Sequence, residues 1–143
     1  MIGMFPLLFI VVFVYAIVAM IFGGGSGIEM AAFLDQSVMS IPMHENMLWE
    51  LTRGDVFLLV GLVLLFVEII GSSKSDKRTI INHGLSMGVF VAALLAFVLS
   101  SPFATSTFFF LMVLTLIDVV AGFIITIRVA RRDIGFGGDI PGI

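Results

Sequence analysis

The sequence predicts an all-α membrane protein of four transmembrane helices, with both termini on the cytoplasmic side. Three observations predict this fold: an apolar composition, four long apolar segments, and basic residues gathered on one side of those segments. Hydrophobic residues make up 60% and charged residues 12% of the 143 residues, whereas a soluble domain carries roughly 25% charged residues. We therefore expect residues 1–143 to form a single domain surrounded by lipid.

Four apolar segments are long enough to be spans. A helix needs roughly 20 apolar residues to cross about 30 Å of hydrocarbon. Within lipid the backbone must satisfy its own hydrogen bonds, so each segment is predicted to be helical. The predicted spans cover residues 4–22, 55–71, 80–100 and 106–128.

The basic residues predict the orientation, because Lys and Arg are concentrated in cytoplasmic loops. Six of the seven fall on one side of a four-span arrangement, which places the second loop and the C-terminus inside. An even number of spans then places the N-terminus inside as well. The six are Lys74, Lys77 and Arg78 after the second span, and Arg128, Arg131 and Arg132 after the fourth.

The long external loop, residues 23–54, contains a second pattern. Met39, Met43 and Met47 follow one another at intervals of four, a spacing that places them on one helix face. We predict an amphipathic helix at the outer interface, in which Met43 and Met47 face the membrane and Trp49 is the aromatic anchor. A second such helix is predicted over residues 28–38, and the glycine-rich tail, residues 133–143, is predicted to be flexible.

Ionisable residues inside the membrane are the candidate functional residues. Asp118 lies about 15 Å of helix before Arg128, near the bilayer centre, and Thr115 shares its face. Glu68 and His83 lie at the internal ends of spans two and three, in one layer where they can pair. One interpretation is a proton or cation path through Asp118, and the other is a set of buried, hydrogen-bonded structural groups. The outer halves of these spans supply few polar groups, which weighs against a pore within one subunit.

Small residues predict where the helices approach each other. Gly84 and Gly88 form a G-x-x-x-G pattern on span three, and Gly61 shares a face of span two with Glu68. Gly122 continues the polar stripe of span four. We expect these faces to meet inside the bundle, with the first span at the periphery.

Other chemistries are weakly supported. No nucleotide-binding, zinc-protease or hydrolase motif is present, no cysteine is present, and nothing predicts nucleic-acid binding. A haem held by His83 requires a second histidine from another chain. Cu(I) suits the methionines around His44, but an interfacial segment whose methionines face lipid or protein explains them better. We therefore predict no metal, no cofactor and no enzymatic activity.

Two stretches resemble small four-span inner-membrane proteins of alphaproteobacteria: GDVFLLVGLVLLFVEII at residues 54–70, and DVVAGFIITIRVARRD at residues 118–133. The resemblance covers spans two to four and omits the first loop. It implies a bacterial inner membrane, with the external side facing the periplasm. That family has no characterised function, so the resemblance implies no catalytic residue.

Three functional hypotheses follow. The leading one is a non-enzymatic scaffold or accessory subunit that associates with itself or with a larger membrane complex. The second is an oligomeric proton or cation conductor that uses Asp118 with Glu68 and His83. The third is binding of a lipid or another hydrophobic ligand between the helices and the outer segment, near Met43 and Trp49.

Overall fold

The computed structural model describes residues 6–44, 47–72 and 77–135, with side chains described at 6–44, 47–71 and 81–128. This part of the chain is mostly helical, as predicted. A short 3-10 helix, Ser101–Phe103, joins the last two long helices. The elements in chain order are α1 (Leu8–Phe22), α2 (Gly27–Leu34), β1 (Ser37–Pro42), β2 (Leu48–Thr52), α3 (Arg53–Ser72), α4 (Lys77–Leu99) and α5 (Ser106–Gly135).

Three helices are long and apolar enough to cross a membrane: α3, α4 and α5. The first helix contains 15 residues, which is about 22 Å of helix and shorter than the roughly 30 Å of a hydrocarbon core. α1 and α2 pass the same test only as a pair bent by 111°. The described residues therefore give three candidate spans, and a fourth would be a broken or re-entrant α1–α2 pair. At the other end of the chain, α5 continues to Gly135, so residues 133–135 are helical and the rest of the predicted flexible tail lies outside the described residues.

A glycine turn produces the sharp bend between α1 and α2. Gly24 and Gly25 have φ angles of 52° and 79°, in the left-handed region that glycine adopts without a Cβ penalty. The Ser26 side chain then caps α2, and the backbone N–H of Gly27 donates to Ser101 Oγ at 3.1 Å. The turn and these two hydrogen bonds hold α2 across the end of the bundle.

α1, which was predicted to be peripheral, packs on the bundle through one face, while its opposite face is exposed. Tyr15 is 0% exposed, and its hydroxyl lies 2.5 Å from Thr105 Oγ1. The same Thr105 oxygen accepts from Phe108 N at 3.2 Å and so caps α5. The Tyr15 ring also contacts the rings of Phe108 and Phe57, with centroid distances of 4.8 and 5.4 Å. α1 has few polar groups, but apolar helices pack by shape, which composition does not report.

The outer segment that was predicted as an amphipathic helix is a β-hairpin instead. β1 and β2 pair antiparallel, with Met39 opposite Leu51 and Ile41 opposite Trp49. The loop closes with a hydrogen bond from Met43 N to the carbonyl of Met47 at 2.7 Å. Only α2, Gly27–Leu34, matches the second predicted interfacial helix, which was expected over residues 28–38.

The methionine spacing explains this error. An interval of four is also a multiple of two, so residues 39, 43, 47 and 51 share one face of a strand as well as one face of a helix. Pro42 disfavours a helix interior, while Val38 and Ile41 favour a strand. The hairpin consequently keeps an apolar face, with Ser40 and Glu50 paired on the opposite face.

The hairpin leads directly into α3 through a capping box. Thr52 Oγ1 accepts from Asp55 N at 3.2 Å, and an Asp55 carboxylate oxygen accepts from Thr52 N at 3.0 Å. Thr52 and Asp55 therefore cap the start of α3 reciprocally. The N–H of Arg53 donates to the carbonyl of Gln36 at 3.0 Å, which fastens the base of the hairpin to the start of α3.

Candidate functional site

Glu68 joins three helices at one end of the bundle. Its side chain is 5% exposed, and one oxygen accepts from the backbone N–H groups of Leu7 and Leu8 at 3.0 and 3.3 Å. The other oxygen accepts from Asn82 Nδ2 at 3.0 Å. A carboxylate is well suited to the start of α1, where N–H groups lack partners and the helix dipole is positive. Glu68 therefore holds the start of α1 against α3 and α4.

This contact also defines the direction of the helices. Because the start of α1 meets the end of α3, these two helices run antiparallel, and short connections make α4 and α5 alternate in turn. The start of α1, the end of α3, the start of α4 and the end of α5 share what we call the basic end, since Lys77, Arg78 and Arg128 lie there. The hairpin and α2 lie at the opposite end, the hairpin end.

Asp118 lies deeper in the same region. It is 3% exposed, and it faces Ser86 and the His83 ring of α4. It is also close enough to Glu68 for the two carboxyl groups to interact electrostatically. We call Glu68, Asn82, His83, Ser86 and Asp118 the polar cluster.

Several atoms of the polar cluster are buried without a hydrogen-bond partner among the described residues. They are Asn82 Oδ1, both ring nitrogens of His83, and Ser86 Oγ. An unsatisfied buried polar group costs about 1–3 kcal/mol, and native interiors contain few of them. These atoms lie beside the carboxyl groups of Glu68 and Asp118.

The predicted site residues are brought together in part. Glu68, His83 and Asp118 lie in one region, but Glu68 bonds to Asn82 and α1, and neither His83 nitrogen has a hydrogen bond within the described chain. Thr115 is buried, yet its hydroxyl donates to the carbonyl of Met112 in its own helix at 2.6 Å. No hydrogen bond joins Glu68 to His83, a pairing that their shared layer made possible, and the Thr115 hydroxyl bonds within its own helix.

Sequence reasoning missed Asn82 and Ser86. Both are buried at the helix interface, and they are four residues apart, so they share one face of α4. The signal was present, because a polar pair at helical spacing within an apolar span is uncommon. It was overlooked because uncharged side chains stand out less than the neighbouring histidine.

Beyond the cluster and Thr115, the described interior is apolar as far as the Tyr15–Thr105 hydrogen bond. Leu65 of α3, Ala93 of α4 and Leu111 of α5 are buried between the polar cluster and the Tyr15–Thr105 hydrogen bond. No chain of polar side chains connects these two polar regions within the described part of one subunit.

The glycines separate into two classes. A Cβ at Gly122 would overlap the His83 ring, and a Cβ at Gly61 would lie 2.9 Å from a Leu111 methyl carbon. These two glycines allow α4 and α3 to approach α5 closely. A Cβ at Gly84 or Gly88 meets nothing within 4 Å, so the prediction that this pair packs inside the bundle was wrong. The exposed faces of Gly84, Gly88 and Ala92 form what we call the glycine ridge.

The outer methionines lie on the hairpin surface. Trp49 is 52% exposed, and Met43 and Met47 are also exposed. No group of three or more His, Cys, Asp or Glu side chains suited to a metal ion occurs among the described residues. Comparison with protein-family models, curated proteins and solved structures finds no match to this chain.

Proposed function

We propose that this protein is a non-enzymatic membrane scaffold or accessory subunit, which associates with copies of itself or with a larger membrane complex. Three helices that are long and apolar enough to cross a bilayer support the membrane setting. In the proposed arrangement the α1–α2 pair supplies a fourth crossing. The resemblance of spans two to four suggests a bacterial inner membrane.

The exposed glycine ridge is the observation that carries the proposal. Lipid tails are as apolar as leucine, so helices associate in bilayers chiefly where small residues let their backbones approach. Within one subunit a Cβ added at Gly84 or Gly88 would meet no atom within 4 Å, whereas a Cβ added at Gly61 or Gly122 would contact a neighbouring helix. It also forms part of the wall of a groove of about 310 Å³ between α1 and α4, which gives a partner helix a concave surface. The groove is lined by Pro6, Phe9, Val12, Gly84, Leu85, Gly88, Val89 and Ala92.

The positions of the charges support the proposed orientation. Lys77, Arg78 and Arg128 lie at the basic end together with the start of α1. Cytoplasmic loops are enriched in Lys and Arg, so the basic end is proposed to face the cytoplasm. The hairpin, α2 and Trp49 then face the external side.

Leucine at Gly84 is expected to weaken association without disturbing the subunit. The Cβ position is open, so the added side chain blocks only a helix that arrives from outside. We expect at least about a tenfold loss of association, which corresponds to about 1.4 kcal/mol. The measurement is native mass spectrometry of the oligomer or complex released from mild detergent.

Gly71→Leu is the matched control, because Gly71 is also an exposed glycine in a helix with open space at its Cβ position. It lies away from the glycine ridge and should leave association unchanged. A wild-type protein that is strictly monomeric and carries no partner would contradict the proposal. An equal loss of association in Gly84→Leu and Gly71→Leu would show that the glycine ridge is not the association surface.

Proton transfer is a second candidate function, and the two buried ring nitrogens of His83, which have no hydrogen-bond partner among the described residues and lie beside Asp118, favour it. Because the interior towards the hairpin end is apolar, conduction would require a path shared between copies. Proteoliposomes under a membrane potential are expected to show proton flux that Asp118→Asn abolishes and Glu50→Gln preserves. Wild-type vesicles no leakier than empty ones would exclude this function.

A further inference from the structure

A second groove lies between α1 and α3, and we infer that it binds one phospholipid, with an acyl chain along the groove and the headgroup phosphate on Arg53. The cavity volume is about 380 Å³. Its position, walls and single basic side chain all match this ligand. We call it the α1–α3 groove, and its walls include Ile10, Val14, Val18, Val56, Val60 and Leu64.

The walls are suited to a hydrocarbon chain. On α1 the wall is formed at every fourth residue by Ile10, Val14 and Val18, and on α3 at the same spacing by residues 56, 60 and 64. Side chains four apart stand one above the other on a helix face, so both walls run parallel to the helix axes. Most of them are β-branched and have few rotamers, which gives the groove a stiff shape.

The length of the groove matches one leaflet. From Arg53 to Leu64 the α3 helix rises about 16 Å, which is close to half of the roughly 30 Å hydrocarbon thickness. Arg53 lies at the hairpin end of the groove, where the Trp49 and Asp55 side chains are exposed. A lipid of that leaflet can therefore place its phosphate at Arg53 while one tail follows the groove.

Arg53 is oriented for this role. Its guanidinium lies over the Phe33 ring, 4.3 Å from the centroid, and it makes no ion pair with any described residue. Stacking holds the planar group in place while leaving its N–H donors available, and a guanidinium binds phosphate through two parallel hydrogen bonds. Among the described residues, Arg53 is the single Lys or Arg that lies away from the basic end.

The neighbouring charges select a headgroup class. Glu50 is exposed and lies three residues before Arg53 in the chain. Asp35 is also exposed, and it directly precedes Gln36, whose carbonyl accepts from Arg53 N. A second anionic group would be repelled by these carboxylates, whereas an ammonium group would be attracted. The site therefore favours a zwitterionic aminophospholipid, such as phosphatidylethanolamine, over phosphatidylglycerol.

The test is native mass spectrometry of protein released from nanodiscs that contain equal amounts of phosphatidylethanolamine and phosphatidylglycerol. Wild-type protein should retain one phosphatidylethanolamine. Arg53→Met removes the phosphate contact and Val60→Phe fills the groove, so each should lower the retained fraction about tenfold. Arg53→Lys keeps the charge and should recover part of the binding.

Val63→Phe is the matched control. Val63 lies on the same helix and is similarly exposed, but it lines a separate depression whose five lining residues include no basic side chain. The control should retain lipid as the wild type does. The site would be overturned if the wild type retained no lipid, or if Val60→Phe and Val63→Phe lost lipid equally. The headgroup assignment would be overturned if the wild type preferentially retained phosphatidylglycerol. Oligomer masses in the same spectra report separately on the scaffold proposal.

Discussion

Replacing Glu68 with leucine is expected to lower the free energy of unfolding by about 3 kcal/mol or more, because each buried polar group left unpaired costs about 1–3 kcal/mol. The change removes acceptors from the N–H groups of Leu7 and Leu8 and from Asn82 Nδ2. All three partners lie at a buried helix junction. The start of α1 should therefore detach first, since Glu68 is the side chain that the described structure places on its terminal N–H groups.

Glu68→Gln should cost less, because one amide oxygen remains to accept from either α1 or Asn82. Stability can be measured by denaturant titration in detergent micelles, followed by helical circular dichroism. Glu50 supplies the matched control, since it is an exposed acid on the hairpin, and Glu50→Leu should leave the midpoint nearly unchanged. Equal denaturation midpoints for Glu68→Leu and Glu50→Leu would show that the Glu68 junction contributes nothing to stability.

Replacing Gly122 with alanine is the second substitution that is expected to have a large effect on stability. The added Cβ would overlap the His83 ring, and the ring is held between α4 and α5 with buried nitrogens. Overpacking of this kind costs about 1–3 kcal/mol, which exceeds the roughly 1 kcal/mol that alanine gains over glycine in helix propensity. We therefore expect a net loss of stability, measured by the same titration.

Gly84→Ala is the control for Gly122→Ala, because it makes the same chemical change where a Cβ meets nothing. It should be neutral or slightly stabilising through helix propensity. Removing the obstacle offers a second check: in a His83→Ala background, Gly122→Ala should cost less than in the wild type. If Gly122→Ala and Gly84→Ala have the same effect, the close α4–α5 approach is not a source of stability.

The glycines show how far sequence reasoning reached. Gly61, Gly84, Gly88 and Gly122 all lie in apolar helices, and all were expected to pack inside the bundle. Spacing assigns a residue to a helix face, but it does not specify what that face meets. In the tertiary structure, side chains of neighbouring helices occupy the space beside Gly61 and Gly122, whereas the space beside Gly84 and Gly88 is open.

The hairpin and the polar cluster show the same limit. A four-residue period fits a strand face as well as a helix face, so the methionine pattern by itself did not distinguish them. Likewise, the depth of Glu68 in its span predicted a partner in the same layer, but not whether that partner would be His83 or Asn82. One residue of difference in α4 rotates a side chain by about 100°, and the packing of α3 against α4 decided which one faced Glu68.

Composition and apolar segment length by themselves determined that the chain is mostly helical and that most of the long helices can cross a bilayer. These are local properties, since a helix satisfies its backbone hydrogen bonds within its own segment whatever its neighbours are. Tertiary structure alone decided that α1 is short and buried through Tyr15, that Glu68 holds the start of α1, and that Arg53 stands at the mouth of an apolar groove. Those features depend on which faces meet across the bundle, and residues distant in sequence set that geometry through close packing.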